Sequence, residues 1–214
     1  EMAMGKLTET LQRARELTIY GANGSLDQEQ RDAVAEEVNE LKDHLTQIAN
    51  TSIGDRFVFS GYKTKSKPYK DSTSGYQGDN NYLSVEISKD TEINYNVPGD
   101  AAFDKAFAAI NDIVNNLATG DTDKLSTDSL NDLDTAMDDV LSLRANLGAK
   151  GKRLELAKNR FEEANVKHTE LLSETQDVDI AETIMHLKQQ ESVYRASLNA
   201  TARIMQPTLI DFIR

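Results

Sequence analysis

The sequence contains no cysteine, so it can form neither a disulfide framework nor a thiolate metal site. It has no apolar run near the roughly 18 residues that a membrane-spanning helix requires, and no secretory signal opens it. Basic residues are outnumbered, with 24 Lys and Arg against 36 Asp and Glu and a formal net charge of −12. No basic face is therefore available to replace the counterions on phosphates. We expect neither membrane insertion nor nucleic-acid binding.

Signals of catalysis and of cofactor binding are also missing. The three histidines, at positions 44, 168 and 186, do not have the spacing of a pair of metal ligands. No glycine-rich phosphate loop follows a predicted strand, and there is no nucleophile elbow. Asp121, Asp123 and Asp128 suggest a calcium loop, but helix-capping aspartates explain this run better. We predict that the protein is not an enzyme and has no catalytic, metal-binding or cofactor-binding residues.

Apolar residues spaced three and four positions apart predict helices in the first fifty residues. The first helix should end at Gly21, Asn23 and Gly24, because glycine and asparagine tolerate the left-handed conformation of a helix C-terminus. Ser25 with Gln28 would supply a capping box for the second helix. The second helix has the alternating spacing of four and three that is typical of coiled coils, at Val34, Val38, Leu41, Leu45 and Ile48.

The period of the apolar pattern changes to two after residue 56. Apolar and polar residues alternate over 82–87 and again over 93–97, with the polar turn SKDT between them. Two half-buried strands joined by a short turn predict an antiparallel β-hairpin.

Helical spacing returns after residue 100, in a third helix and then in a long fourth helix that starts near Ser129. Along the long helix, only half of the positions on the regularly spaced stripe are apolar. The other positions of the stripe include Arg144 and Lys158. Because a buried unpaired cation is costly, one flank of this helix should lie near solvent or a polar partner. The last helix has apolar residues on a 3.5-residue grid, and Pro207 should end or kink it near residue 206.

This order of elements predicts a mainly α fold, an elongated antiparallel helical bundle with a small antiparallel β insertion. We divide the chain into an N-terminal part of the bundle (1–55), a β insertion (56–100), a C-terminal part of the bundle (101–177) and a terminal amphipathic assembly helix (178–214). The chain begins in mid-pattern, which we interpret as a fragment whose true N-terminus is missing.

Two stretches near the ends of the chain resemble the bacterial flagellin family. The stretch LQRARELTIYGANGSLDQEQRDAVAEEVNELKDHLTQIANT, over 11–51, is similar to the first long helix, the turn and the second helix of flagellins. The stretch that runs from LRANLGAKGKR to MQPTLIDFI, over 143–213, is similar to their C-terminal pair of helices, with DVDIAE before the terminal helix. The resemblance implies the predicted helical fold.

One internal segment is similar to a particular group of that family. DRFVFSGYKTKSKPY, over 55–69, and VPGDAAF, over 97–103, are typical of hook-filament junction members, whereas flagellins usually lack the aromatic segment. Pro207 is more typical of flagellins. The resemblance implies a structural adaptor between hook and filament; the alternatives are a flagellin filament subunit and an unrelated coiled-coil interaction module.

The resemblance also implies partners and a location. The partners would be the first hook-filament junction protein, flagellin and a cytosolic flagellar export chaperone, and copies would assemble into a helical or ring array. The protein would leave the cell through the flagellar type III apparatus and lie in the extracellular part of the bacterial flagellum.

Two sets of residues are candidates for contacts with other chains. The first set, Arg13, Arg15, Glu16 and Leu17, matches a flagellin segment that contacts other subunits and, in some flagellins, an immune receptor. The alternative is that Leu17 packs inward while the charges are solvated. The second set is the apolar face of the last helix: Ile180, Ile184, Leu187, Tyr194, Leu198, Met205, Leu209 and Phe212. A single amphipathic helix gains little stability alone, so this face needs another chain unless it folds back on its own bundle.

The aromatic segment provides a third set, at the joint between the bundle and the β insertion. Phe57, Phe59 and Tyr62 would anchor the insertion against the end of the bundle, and Gly61 would allow a sharp exit. The lysines at 63, 65 and 67 would form a solvated loop.

Overall fold

A computed structural model describes residues 1–205 of the chain, which divides into two compact units, Glu1–Lys158 and Asn159–Arg214. The helices of the described residues are α1 (Met2–Gly21), α2 (Gln28–Ala49), α3 (Lys105–Thr119), the single turn α4 (Thr122–Lys124), α5 (Leu130–Gln176) and α6 (Ile180–Met205). Short π-helical segments, Asp100–Asp104 and Leu125–Ser129, lead into α3 and α5. The division into units falls within α5, whereas the division that we predicted at residue 177 lies between α5 and α6.

The core of the first unit is built from one apolar stripe on each of its four longer helices. The Leu, Ile, Val and Met members of the stripes that are at most 1% exposed are Met4, Leu7, Leu11, Val38, Leu45, Ile110, Ile113, Leu117, Leu133 and Val140. Burying each such side chain stabilises the fold by roughly 1.5–3 kcal/mol. The spacing of three and four therefore predicted the packed faces correctly, and the predicted mainly α fold with a small antiparallel β insertion is confirmed.

The helix α1 ends where predicted, but without the predicted left-handed conformation. Gly21 is still helical, and Ala22 after it has φ −72°, so no left-handed residue ends the helix. Gly21 is buried, and a Cβ at this position would overlap the side chain of Leu117. This glycine thus allows α3 to approach α1 closely, which spacing along the sequence could not indicate.

The capping box of α2 lies two positions after the predicted one. Asp27 accepts a hydrogen bond from the backbone N–H of Gln30, and the Gln30 side chain accepts one from the N–H of Asp27. The predicted pair, Ser25 with Gln28, was wrong because Gln28 has another role. Its Nε2 donates to the carbonyl oxygen of Leu117 over 3.0 Å and so ties the start of α2 to the end of α3.

Two separate hairpins follow α2. The predicted hairpin is present as β3 (Ser84–Ser88) and β4 (Thr91–Asn94), which pair antiparallel with a bulge near residue 87. A second hairpin, β1 (Ser52–Ile53) with β2 (Arg56–Phe57), was not predicted. Strands of two residues are too short for an alternating pattern to show in the sequence.

The long helix α5 is buried only at its start, where Leu133, Ala136 and Val140 face the core. From residue 141 to 158 no side chain is buried. Arg144 lies on this stretch, and its Nη2 contacts Glu1 Oε1 over 2.7 Å while its Nη1 donates to Thr8 Oγ1 over 3.2 Å. The expected polar flank of this helix is confirmed.

Candidate assembly surfaces

The joint between the bundle and the β insertion is an aromatic cluster. Phe59 is 2% exposed, and its ring packs edge-on against Phe103 with centroids 4.9 Å apart. Tyr69 packs against Phe103 at 6.1 Å and against Phe107 at 4.9 Å, so one loop residue contacts both aromatic rings at the start of the third helix. Pairs of aromatic rings at these distances contribute about 0.5–1.5 kcal/mol beyond their buried area. The cluster holds the insertion on the end of the bundle.

Polar contacts complete this aromatic cluster. The Tyr69 hydroxyl lies 2.6 Å from Asp104 Oδ1 and 3.1 Å from the carbonyl oxygen of Gly99. The side-chain amide of Asn50, directly after α2, donates to the Tyr69 carbonyl and accepts from the Tyr69 N–H. Tyr76 donates its hydroxyl hydrogen toward the carbonyl oxygen of Phe59 over 2.7 Å. The backbone on both sides of the loop is thus fixed to the bundle by side chains.

The residues predicted for this joint contribute unequally to it. Phe59 is in the core, Phe57 is half-buried, and Tyr62 is 58% exposed and so does not pack in the cluster. Gly61 has φ +61°, and a Cβ there would overlap the carbonyl oxygen of Asp79, so the position requires glycine. Tyr69 was not predicted, because its only signal in the sequence is an aromatic residue after a proline in a polar loop.

Burial of this cluster changes the ionisation of its groups. Burial, together with the hydrogen bond to Asp104, raises the pKa of the Tyr69 phenol far above its ordinary value. Burial also raises the pKa of Asp104, although the hydrogen bond from Tyr69 opposes that shift. A phenol whose folded pKa is raised contributes stability that is present below the unfolded pKa, near 10, and is lost as the pH rises above it.

Replacing Tyr69 by phenylalanine should therefore flatten the loss of stability at alkaline pH. In the wild-type chain, the free energy of unfolding should fall by about 1.4 kcal/mol per pH unit above pH 10 for each phenol that stays protonated in the fold. The variant should be less stable near neutral pH, by about 1 kcal/mol for the lost hydrogen bond, and should decline less steeply above pH 10. Urea unfolding at a series of pH values measures both effects. Tyr62→Phe is the matched control, and an equal flattening in that variant would contradict the assignment.

The set on α1 lies partly on the surface and partly in the core. Leu17 is buried. Arg13 contacts Glu16 over 2.9 Å and Glu37 of α2 over 2.6 Å, and Arg15 contacts Asp134 of α5 over 2.7 Å. Exposed ion pairs of this kind contribute about 0–1 kcal/mol each, so they orient the guanidinium groups more than they stabilise the fold. The surface of this segment is formed by its charged residues alone.

The second unit has an uncovered apolar surface. Within 159–204 no side chain is buried, and only those at 164 and 191 are half-buried. The members of the predicted α6 face whose side chains are described are all more than half exposed: Ile180, Ile184, Leu187, Tyr194 and Leu198. Met205 is the last described residue of α6, and Pro207, Leu209 and Phe212 lie outside the described residues. Soluble proteins rarely expose large contiguous apolar patches unless another molecule binds there.

Residues 1–205 contain neither a metal-ligand cluster nor a membrane-spanning helix. No three His, Asp or Glu side chains within 1–205 converge as ligands of a metal ion. None of the described helices is long and apolar enough to cross a membrane.

Comparison with known proteins places both ends of the chain in one family. The model of the bacterial flagellin N-terminal helical region matches residues 1–64, and that of the bacterial flagellin C-terminal helical region matches residues 130–213. Together they take in more than half of the chain.

Relatives align over nearly the whole sequence. Flagellar hook-associated protein 3 of Escherichia coli K12 is 26% identical over 227 residues, which cover 94% of this chain and 72% of that protein. Flagellin of Bacillus subtilis is 28% identical over 227 residues, which cover 96% of this chain and 73% of that protein.

The fold is shared with solved structures. The crystal structure of flagellar hook-associated protein 3 from Legionella pneumophila superposes with a TM-score of 0.73 at 16% identity, covering 83% of this chain and 91% of that one. The helical ends, the small β insertion and these matches agree, and the chain belongs to the bacterial flagellin family.

Proposed function

We propose that this chain is a structural adaptor of the bacterial flagellum, placed between the hook and the flagellin filament. The observation that carries the proposal is the alignment with the hook-associated protein of E. coli. Because it covers 94% of the chain, it includes most of the segment 65–129 that neither flagellin family model matches. That segment contains most of the aromatic joint and the β3–β4 hairpin, which distinguish this chain from a pair of flagellin-like helical ends.

The exposed faces of the second unit support a role in assembly. Apolar side chains along α6 gain stability only when another surface covers them. In the flagellum, helices of neighbouring axial subunits would cover them, with the first hook-filament junction protein on one side and flagellin on the other. Before export, a cytosolic chaperone would bind the same face and prevent aggregation. This role requires no catalysis.

The segment on α1 would add a polar contact between subunits. Arg13 and Arg15 are held by carboxylates of the neighbouring helices, with part of each guanidinium group exposed. Fixed arginine side chains lose less conformational entropy when they meet a partner. The aromatic joint would keep the β insertion in one position relative to these residues, outside the cell, after export through the flagellar type III apparatus.

A flagellin filament subunit is the second candidate, because the flagellin of B. subtilis aligns over a similar share of the chain. The two functions differ in where the protein lies and in how many copies are present. A filament subunit would form most of the filament, whereas an adaptor would occupy a narrow zone next to the hook.

Immunogold electron microscopy of sheared flagella separates these candidates. The antibody is raised against residues 60–100, the β insertion. We expect gold label confined to the boundary between hook and filament. Label along the whole filament would replace the adaptor by a filament subunit, and flagella without label would overturn both proposals.

A further inference from the structure

The turn between α1 and α2 contains Asn23 followed by Gly24, which is the one Asn-Gly pair in the sequence. Both residues are exposed. Gly24 does not have a left-handed backbone conformation, and a Cβ at this position would meet no atom within 4 Å. Neither the backbone nor the packing of the fold therefore requires glycine at this position.

The side-chain oxygen of Asn23 accepts two hydrogen bonds from Ser25. The Ser25 N–H donates to Asn23 Oδ1 over 3.1 Å, and the Ser25 hydroxyl donates to the same atom over 2.9 Å. Attack of a nucleophile on the side-chain carbonyl carbon, Cγ, would place negative charge on this oxygen. Two donors already directed at an oxygen that becomes negative lower the barrier to such an attack, as they do in an oxyanion hole.

The nucleophile that lies next to this carbonyl in the chain is the backbone nitrogen of Gly24. Within residues 1–205 the Gly24 N–H donates no hydrogen bond. The bonds of the turn are made by its neighbours, since the Asn23 N–H donates to the carbonyl oxygen of Tyr20 and the Leu26 N–H donates to that of Asn23, each over 3.1 Å. Glycine has no side chain to shield its nitrogen or to restrict the rotation that the attack needs.

We propose that Asn23 is a site of spontaneous deamidation. The Gly24 nitrogen forms a bond with Asn23 Cγ and gives up its proton to water. The bond from Cγ to Nδ2 then breaks, and the side-chain nitrogen takes a proton and leaves as ammonia, so that a succinimide ring remains. Water adds to either ring carbonyl and opens the ring, which yields aspartate or isoaspartate at position 23. No oxidant or reductant takes part.

Either product introduces a negative charge at an unfavourable position. Residue 23 follows the C-terminus of α1, whose last turn contains no basic residue. The carboxylate would lie at the negative end of the helix dipole, in the same turn as Asp27. Isoaspartate also routes the main chain through the former side chain and so displaces Ser25 from its hydrogen bonds. We expect the modified chain to unfold at a lower urea concentration than the unmodified chain. The inference does not depend on the proposed function.

Mass spectrometry of the full chain during prolonged warm incubation tests the proposal. Trypsin releases residues 16–31, which contain Asn23 and no other asparagine, and residues 106–124, which contain three asparagines of α3. The first peptide should convert with time into an aspartate form and an isoaspartate form, separated by chromatography. The second should stay unmodified and serves as the reference within each sample. Isoaspartate is diagnostic of the succinimide, because direct hydrolysis of the amide yields aspartate alone.

Two substitutions test the residues that promote the reaction. Gly24→Ala leaves the fold intact, because its Cβ meets no atom, and should slow the conversion by about tenfold, since the methyl group shields the nitrogen. Ser25→Ala keeps the backbone donor and removes the hydroxyl, so it should slow the conversion by about threefold. Ser142→Ala, at an exposed position on α5, is the matched control and should convert as the wild type does.

Several results would overturn the proposal. These are an unchanged peptide 16–31, aspartate without isoaspartate, equal conversion of the asparagines in α3, or a Gly24→Ala chain that converts as fast as the wild type. If Gly24→Ala slows the conversion but Ser25→Ala does not, the role assigned to the Ser25 hydroxyl is wrong.

Discussion

Replacing Phe103 by alanine should lower the free energy of unfolding of the first unit by about 3–5 kcal/mol. The Phe103 side chain is 0% exposed and contacts both Phe59 and Tyr69, so its removal leaves a cavity where the β insertion meets the bundle. Domains of this size are stabilised by only about 5–15 kcal/mol in total. Loss of this one ring should therefore remove a large part of the free energy of unfolding. Urea unfolding followed by near-ultraviolet circular dichroism, which reports on the packed tyrosines, measures the change.

The matched control for this substitution is Phe161→Ala in the second unit. The same atoms are removed, but Phe161 is 49% exposed, and the surrounding residues are exposed as well. We expect a change within about 0.5 kcal/mol. A similar loss for both variants would mean that the aromatic joint is not a stabilising centre of the first unit.

The helices were predictable because their apolar spacing matches the faces that become buried. The stripes on α2 and α3 lie in the core, and the half-polar stripe on α5 correctly indicated a helix with one flank near solvent or polar partners. The prediction succeeded because burial of one apolar face of each helix is the dominant favourable contribution to folding.

The aromatic joint was predictable only in part, because its contacts connect residues far apart in the sequence. Phe59 could be expected in the joint, but Tyr69 bonds to Asp104, 35 positions later, and to Asn50, 19 positions earlier. No periodic pattern marks such residues, and Tyr62 was included only because it is aromatic. The role of Gly21 was missed for the same reason, since its requirement comes from Leu117 of another helix.

The lysines at 63, 65 and 67 were expected to form a solvated loop, and all three are exposed. A run of cations in a polar loop has no apolar partner to pack against, so its exposure could be predicted from the sequence alone.

Introducing glutamate at Leu187 and Leu198 together should abolish incorporation of the protein into flagella while leaving the first unit folded. Both side chains are more than half exposed and lie three helical turns apart on one face of α6. Both side chains belong to the second unit, so the unfolding midpoint of the first unit should not change. At an interface, the loss of a central apolar side chain costs about 2 kcal/mol or more, or roughly thirtyfold in affinity for each site. A buried carboxylate would add a desolvation penalty.

The comparison that decides this prediction is Gln189→Glu, which adds negative charge on the opposite side of the same helix. A strain that lacks the gene is complemented with each variant, and the protein is quantified in the culture medium and in sheared flagella. Gln189→Glu should assemble as the wild type does, whereas the double variant should be absent from the flagella. Loss from the flagella with normal amounts in the medium would assign the face to subunit contacts, and loss from both would assign it to the export chaperone as well. Normal assembly of the double variant would show that the exposed face of α6 binds neither other subunits nor the export chaperone, because two carboxylates cannot be tolerated at the centre of an apolar interface.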